Sequence, residues 1–293
     1  MKSKVITLTG NYRKDRFFDI VSQISKYFSN VKGYELLISD ECMKNHSEKM
    51  IFDNIAVDSF DNCVNKSNYI FSIGGDGTIL STIRKLSCKT IPVLGVHIGN
   101  LGFLAMSTEE TLNMALDHIV SGNYNIKEKI LLKTYRQSNP KDVFYCFNDI
   151  VIDHGNSGRV LKTIVQNNKE HINDYEGDGI IICTPTGSTA YSLSSGGPIV
   201  HADLDVLTIT PISSHSLSAR PIVLPSDSNI KISFSNSFVG ASLTIDGQIR
   251  FDLDKNDKIV VSKSNFYAKI IFMPYYSYIQ TLKEKLHWSG NSR

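Results

Sequence analysis

The 293-residue sequence predicts an N-terminal α/β domain with a parallel sheet and a C-terminal β-sandwich-like domain, with a C-terminal helix returning to the first. Three observations carry this. Up to about residue 124, apolar runs of strand length alternate with helical spacing, an alternation that builds a parallel sheet covered on both faces. From 125 to 271, short strand-like runs recur at roughly ten-residue intervals between turn residues, the pattern of a sandwich or barrel. Tyr275 to Trp288 then carries Ile279, Leu282 and Leu286 at helical spacing. The expected domains are 1–124, joined by 272–293, and 125–271.

Val5-Ile6-Thr7-Leu8 reads as the first strand. Phe17, Ile20, Val21, Ile24 and Phe28 form one face of a helix over Arg13 to Phe28. Glu35 to Ile38 is a second strand, and Asn45 to Phe60 is ambiguous. Tyr69 to Ile73 and Pro92 to Val96 are buried strands, each ending in a glycine loop, the second running from His97 to Leu104. Thr108-Glu109-Glu110-Thr111 starts a helix with acidic residues in its first turn. In the second domain, strands are expected at 131–135, 143–152, 160–166, 179–183, 206–209, 230–234, 243–245 and 258–262.

Composition narrows the function. Hydrophobic content of 41% and charged content of 20% are those of an ordinary globular chain. A net charge of +2 argues against a nucleic-acid-binding surface. Cys42, Cys63, Cys88, Cys146 and Cys183 contain no C-x-x-C pair, against a disulfide framework or a zinc site. The apolar run at the N-terminus is too short for a signal peptide, and no run approaches the roughly 20 residues of a membrane span. The expectation is a cytoplasmic protein without membrane or nucleic-acid partners.

Gly74-Gly75-Asp76-Gly77-Thr78 follows a buried strand and precedes Ile79 to Ile83, with Thr78 where an N-cap belongs. Strand, glycine turn and helix start make a phosphate cradle, because a helix N-terminus offers free N–H donors and partial positive charge. Asp76 is out of place there unless it holds a metal ion or takes a proton from an attacking hydroxyl. Neither a Walker P-loop nor a Rossmann fingerprint is present. A simple Gly-Asp-Gly turn is the plainer reading of these five residues.

A second constellation runs from Glu176 to Pro198. The strand Ile180 to Cys183 enters Thr184-Pro185-Thr186-Gly187-Ser188-Thr189, a hydroxyl-lined loop followed by Ala190-Tyr191-Ser192-Leu193, which reads as a second helix start suited to phosphate or ribose. A Ser/Thr/Gly-rich connection is the bland alternative.

With both constellations in hand, the chain resembles the bacterial NAD kinases, a branch of the superfamily that includes diacylglycerol and sphingosine kinases. The resemblance covers nearly the whole length. It rests on Gly74 to Thr78, Gly99-Asn100-Leu101-Gly102-Phe103-Leu104, Asn148-Asp149, Asp178-Gly179, Thr184 to Leu193, Gly196-Gly197-Pro198, His215 to Pro221 and Asp246-Gly247-Gln248. The first motif is shared with lipid kinases and phosphofructokinases; Thr184 to Ser192 is specific to NAD kinases.

The resemblance implies phosphorylation of the adenosine 2′-hydroxyl of NAD by ATP, with Mg²⁺ or another divalent cation carried by the ATP. It implies Asp76 as base and hydroxyl orienter, and Gly74, Gly75, Gly77 and Thr78 as the phosphate loop. It implies Asn148 and Asp149 on a ribose of NAD, and Asp178, Thr186, Ser188, Thr189, Ala190, Tyr191 and Ser194 lining the dinucleotide pocket. Asp246 and Gln248 read equally as site residues or as an Asp-Gly hairpin. His215 reads first as a structural histidine, and Arg220 as a phosphate contact or a surface residue. The chain departs from the family at Asp149, where Glu is usual, at Ser214 in place of Pro, and at Glu176. Relatives assemble as homodimers or homotetramers. The competing readings are a lipid or small-polyol kinase of the same superfamily and a non-catalytic NAD(P)-binding regulator; the second constellation opposes the first, and the presence of Asp76 the second.

Overall fold

The structure, a computed structural model, describes residues 3–43, 52–99, 102–236 and 238–288. Asn100 and Leu101 of the second glycine loop, residues 45–51 of the ambiguous stretch and the chain end from 289 lie outside the described residues. The chain divides into two compact units, Met1–Glu128 with Ala268–Arg293, and Lys129–Tyr267.

The first unit runs β1 (Lys4–Gly10), α1 (Arg16–Ser29), β2 (Tyr34–Ser39), α2 (Asp40–Met43), β3 (Ile55–Asp58), α3 (Phe60–Lys66), β4 (Tyr69–Gly74), α4 (Asp76–Leu86), β5 (Val93–His97), β6 (Ser107–Thr108) and α5 (Leu112–Ser121). Strands lie in the order β3-β2-β1-β4-β5, all parallel. The inner strands are buried on both faces, as every residue of β4 is, because helices cover such sheets from both sides; edge strand β3 leaves Val57 exposed. Helix α1 buries the stripe Phe17, Ile20, Val21, Ile24 and Phe28. Glu109 and Glu110 precede α5 rather than entering its first turn, since Thr111 takes the cap position and its hydroxyl accepts the Thr108 N–H at 2.9 Å.

The second unit begins within β7 (Asn125–Arg136) and continues through β8 (Phe144–Cys146), β9 (Asp149–Asp153), β10 (Leu161–Asn167), β11 (Glu170–Gly177), β12 (Gly179–Cys183), α6 (Tyr191–Ser194) and β13 (Val206–Ile212). Then come β14 (Ile222–Pro225), β15 (Asn229–Phe234), β16 (Ala241–Ile245), β17 (Ile249–Leu253) and β18 (Ile259–Phe272). Its antiparallel strands form two layers, one ordered β14-β13-β12-β9-β16-β17 and the other containing β11-β10-β15-β18. Period-two alternation decides which side chains meet between them. Ile150 and Ile152, Ile180 and Ile182, and Leu243 and Ile245 join Val165, Ile230, Ile232, Ile259 and Val261 in one buried cluster. The opposite face of β9 and β16 is thereby assigned to Asp149, Val151, Asp153 and Thr244.

Strands β11, β14 and β17 were not expected from the sequence. The sequence of β11, Glu-His-Ile-Asn-Asp-Tyr-Glu-Gly, is mostly polar and largely exposed, so it has little alternation to read. The tail of β18 lies parallel to β5, Ile270 facing Val93. It leads into α7 (Tyr278–Lys285), capped by Ser277, whose hydroxyl accepts the Gln280 N–H at 3.3 Å. Within the first unit Tyr275 Oη donates to the Met106 carbonyl at 3.1 Å.

Candidate functional site

Two groups of functional side chains emerge, one in each unit. In the first, β4 and β5 end side by side, Gly74 in register with His97. Helix α4 starts at Asp76, with extended Gly75 as its cap. This corrects the expected N-cap at Thr78: the helix begins two residues earlier, because Gly75 can turn the chain without a side-chain cap. Thr78 instead packs against Gly74, where any Cβ would strike its hydroxyl. Asp76 thus occupies the first turn, where the positive end of the helix favours a carboxylate by about 0.3–1 kcal/mol.

The Asp76 carboxylate is held from its other side. Oδ2 accepts the Phe103 N–H at 2.8 Å and Oδ1 accepts the Leu104 N–H at 3.2 Å. The approach is so close that a Cβ at Gly102 would overlap the carboxylate, which explains the glycine there. Asp76 is therefore a fixed acceptor at the glycine turn, oriented by helix and loop together.

In the second unit, a cleft of about 360 Å³ opens on the outer face of β9 and β16, lined by Asn148, Asp149, Asp153, Tyr191, Thr244 and Arg250 among others. Five residues assigned from sequence converge here: Asn148, Asp149, Ala190, Tyr191 and Asp246. Asp246 sits at positive φ (49°), a conformation Asp tolerates better than most side chains. Its Oδ1 accepts the Asn148 N–H at 2.8 Å and the Phe147 N–H at 3.1 Å, and the Cys146 thiol donates to it at 3.1 Å. Asp246 thus shapes the Asn148-Asp149 turn. Asp149, 4% exposed, takes the Tyr191 backbone N–H.

Burial first, then the neighbouring Asp246 charge, pushes the Asp149 carboxyl up to about 7. A carboxyl whose pKa is higher folded than unfolded stabilises the fold most at low pH, and that contribution is lost as pH rises through 7. The full excursion is at most about 4 kcal/mol, at 1.36 kcal/mol per unit. We expect Asp149→Asn to gain stability relative to the parent between pH 5 and pH 8, with the difference levelling off above 7. Urea midpoints at each pH measure this; parallel pH profiles for both proteins would refute it.

The other assigned residues fall differently. Ser188 is fully buried, with its hydroxyl donating to the Pro185 carbonyl at 2.6 Å and accepting the Val200 N–H at 3.0 Å. It pins the loop and does not line the cleft. Thr189 Oγ1 donates back to the Thr186 carbonyl at 3.1 Å within a 3₁₀ turn over Thr186–Thr189, and the helix start expected after this loop is the short α6, capped at Ala190. Ser194 and Gln248 are exposed, outside the cleft lining. Asp178 precedes Gly179, which pairs with Asp153, whereas Cys183 at the far end of β12 pairs with Asp149. The length of β12 therefore separates Asp178 from the Asn148-Asp149 end of the cleft.

Val151, Asp153, Thr244, Gly247 and Arg250 line the cleft and were not anticipated. The signal for them is the face assignment: Asp149, Val151 and Asp153 alternate along β9, and Thr244 pairs with Arg250 across the hairpin. Arg250 reaches Asp153 at 3.1 Å.

Gly187 is a further fixed point. A Cβ there would overlap the Asn148 carbonyl, and Asn148 O already accepts the Thr184 N–H at 2.9 Å. Overpacking against backbone costs about 1–3 kcal/mol, occasionally more. Gly187→Ala is expected to lower unfolding free energy by at least about 2 kcal/mol; an unchanged denaturation midpoint would show that the loop can shift freely.

With this geometry in view, the comparisons with known proteins are specific. The family profile for the ATP-NAD kinase N-terminal domain matches residues 15–124, and that for the C-terminal domain matches 147–273. The chain is 36% identical over 286 residues to a NAD kinase of Clostridium botulinum, covering 97% of each. It is 37% identical over 267 residues to one of Sulfurimonas denitrificans, covering 91% of this chain and 90% of the relative. Among solved structures, yeast NADH kinase complexed with NADH superposes with a TM-score of 0.90 at 24% identity, covering all of this chain and 90% of that one. A NAD kinase of Archaeoglobus fulgidus in complex with ATP gives 0.73 at 21% identity, covering 99% and 100%. At these identities the two structures speak for the fold.

Proposed function

The chain belongs to the NAD kinase family, and on that premise we propose that it transfers the γ-phosphoryl group of ATP to the adenosine 2′-hydroxyl of NAD, giving NADP. The observation that carries the reading is Asp76, a carboxylate fixed in the first turn of α4 by two amide N–H groups. Phosphoryl transfer asks mainly for positioning and charge neutralisation. A carboxylate held rigidly at the phosphate turn supplies the acceptor for the hydroxyl proton, and proximity spares the reaction much of its entropic cost. Gly74, Gly75, Gly77 and Thr78 are proposed as the phosphate-binding turn.

The cleft of the second unit supports dinucleotide binding. Asn148 and Asp149 present adjacent polar groups to a ribose diol, and the half-exposed Tyr191 ring borders the same cleft and offers a face to a base. The Asn148 side-chain oxygen and Thr244 Oγ1 are buried without a partner among the described residues. Buried polar atoms in native structures are nearly always satisfied, so a ligand with hydroxyl or amine donors fits this cleft.

Among the described residues no group of three or more His, Cys, Asp or Glu could hold a metal ion. Mg²⁺ or another divalent cation is proposed to be carried by the phosphates of ATP. When present, the cation neutralises phosphate charge. Assembly as a homodimer or homotetramer and a cytoplasmic location are part of the same proposal and rest on family resemblance; among the described residues no helix is long and apolar enough to cross a membrane. The lipid-kinase and regulator alternatives lose ground to relatives named NAD kinase over nearly the full length.

The test is incubation of the purified protein with NAD, ATP and Mg²⁺, followed by a strictly NADP-dependent dehydrogenase. NADP formation supports the reading; a folded protein that binds NAD and forms none overturns it.

A further inference from the structure

His97 is the last residue of β5 and has no role in the chemistry derived above. It lies in register with Gly74, and the following N–H, of Ile98, donates to the Gly74 carbonyl at 3.2 Å. Its imidazole is wedged between two glycines. A Cβ built on Gly75 would lie 3.5 Å from Nε2, and one on Gly99 would lie 3.9 Å from Nδ1 and Cε1. The ring therefore lies within van der Waals distance of both turns, with Nε2 toward Gly75, the cap of α4. Nδ1 is buried and has no hydrogen-bond partner among the described residues.

That unpartnered nitrogen fixes the tautomer. A neutral imidazole carries one N–H and one lone pair, and a buried unpaired N–H is rarer in native structures than an under-satisfied acceptor. A protonated ring would leave a charged donor unpaired at Nδ1, at greater cost. The proton belongs on Nε2, so His97 presents a single N–H donor toward the start of α4.

We propose that His97 is a further substrate-contacting residue of this enzyme, its Nε2–H donating to a phosphate oxygen of the phosphoryl donor at the Gly74–Thr78 turn. The inference rests on the reading of that turn as the phosphate site and adds a named residue to it. A fixed donor aimed at a phosphate oxygen is worth more than a neutral hydrogen bond, because the acceptor carries charge. It also accounts for a polar ring in a position that packing alone would fill as well with an apolar one.

The experiment compares His97→Phe, which keeps a ring between the two glycine turns and removes both nitrogens, with His97→Gln, whose amide nitrogen reaches about as far as Nε2. Initial rates are measured against ATP and against NAD. ATP binding is also measured by calorimetry with a non-hydrolysable analogue, which does not require turnover. We expect His97→Phe to raise KM for ATP and Kd for the analogue by ~10-fold or more, with KM for NAD unchanged. His97→Gln should stay within about three-fold of the parent. Should the Phe variant melt early, His97→Leu takes its place. Equal ATP affinity in the parent and the apolar variant, or a parallel rise in both KM values, would overturn the proposal. A parent protein that makes no NADP would instead sink the reading of the enzyme itself, so the two failures are distinct.

Discussion

Asp76→Asn is expected to lower kcat for NADP formation by about 10²–10⁴-fold, the range associated with losing a positioned general base. The substitution preserves volume, so NAD affinity, which we propose rests on the cleft of the second unit, should change little. Its side effect is legible in the geometry. Both carboxylate oxygens accept a backbone N–H, and an amide can accept only with its oxygen, so its NH₂ group must face one donor. That mismatch costs about 1–3 kcal/mol locally and should appear as a modest drop in melting temperature. Measuring kcat beside the melt separates the two effects: a variant with near-parental kcat would remove Asp76 from the chemistry however its stability changed.

The largest stability effect is expected at Asp246. Its carboxylate gathers the N–H groups of Phe147 and Asn148 at 2.8–3.2 Å, all buried or half-buried beneath the cleft. Asp246→Ala strips the acceptor, leaves those donors unpaired at about 1–3 kcal/mol each, and puts alanine at positive φ. The total expected loss is about 3–5 kcal/mol. Asp246→Asn is the informative partner: its oxygen can retain the bonds now made to Oδ1, and asparagine tolerates positive φ. It should lose far less stability. Removing the charge by either change should also lower the Asp149 pKa, since the Asp246 charge is its second cause of elevation. Urea melts of both variants at pH 5 and pH 8 check all three expectations, and equal losses for Ala and Asn would show that the carboxylate's hydrogen bonds are not what holds the turn.

Much of the fold could be read from the chain because its cues are local. Tyr69 to Ile73 is apolar enough to demand burial on both sides, and α1 repeats its apolar residues at helical spacing. Strand β11 hid because, at one end of its layer, it buries little beyond Tyr175 and Gly177, too few apolar residues to imprint a period-two pattern. Asp149 and Tyr191 were assigned by motif and do meet. Ser188 and Asp178 belong to the same motifs, but one is buried as a loop pin and the other stands at the opposite end of β12. A motif records which residues travel together, not which of them face a ligand.

The sequence by itself determined the order of the two domains, the strand–turn–helix at Gly74 to Thr78 and the chemistry class, since periodicity, glycine turns and specific motifs are properties of short stretches. Only the tertiary structure decided that the Phe103 and Leu104 amides hold Asp76, that Asp246 shapes the Asn148-Asp149 turn, and that Thr244 and Arg250 share its cleft. Each of those contacts joins residues far apart in the chain. Their partners are set by sheet register and by the room a missing Cβ leaves, and neither is written in any one segment.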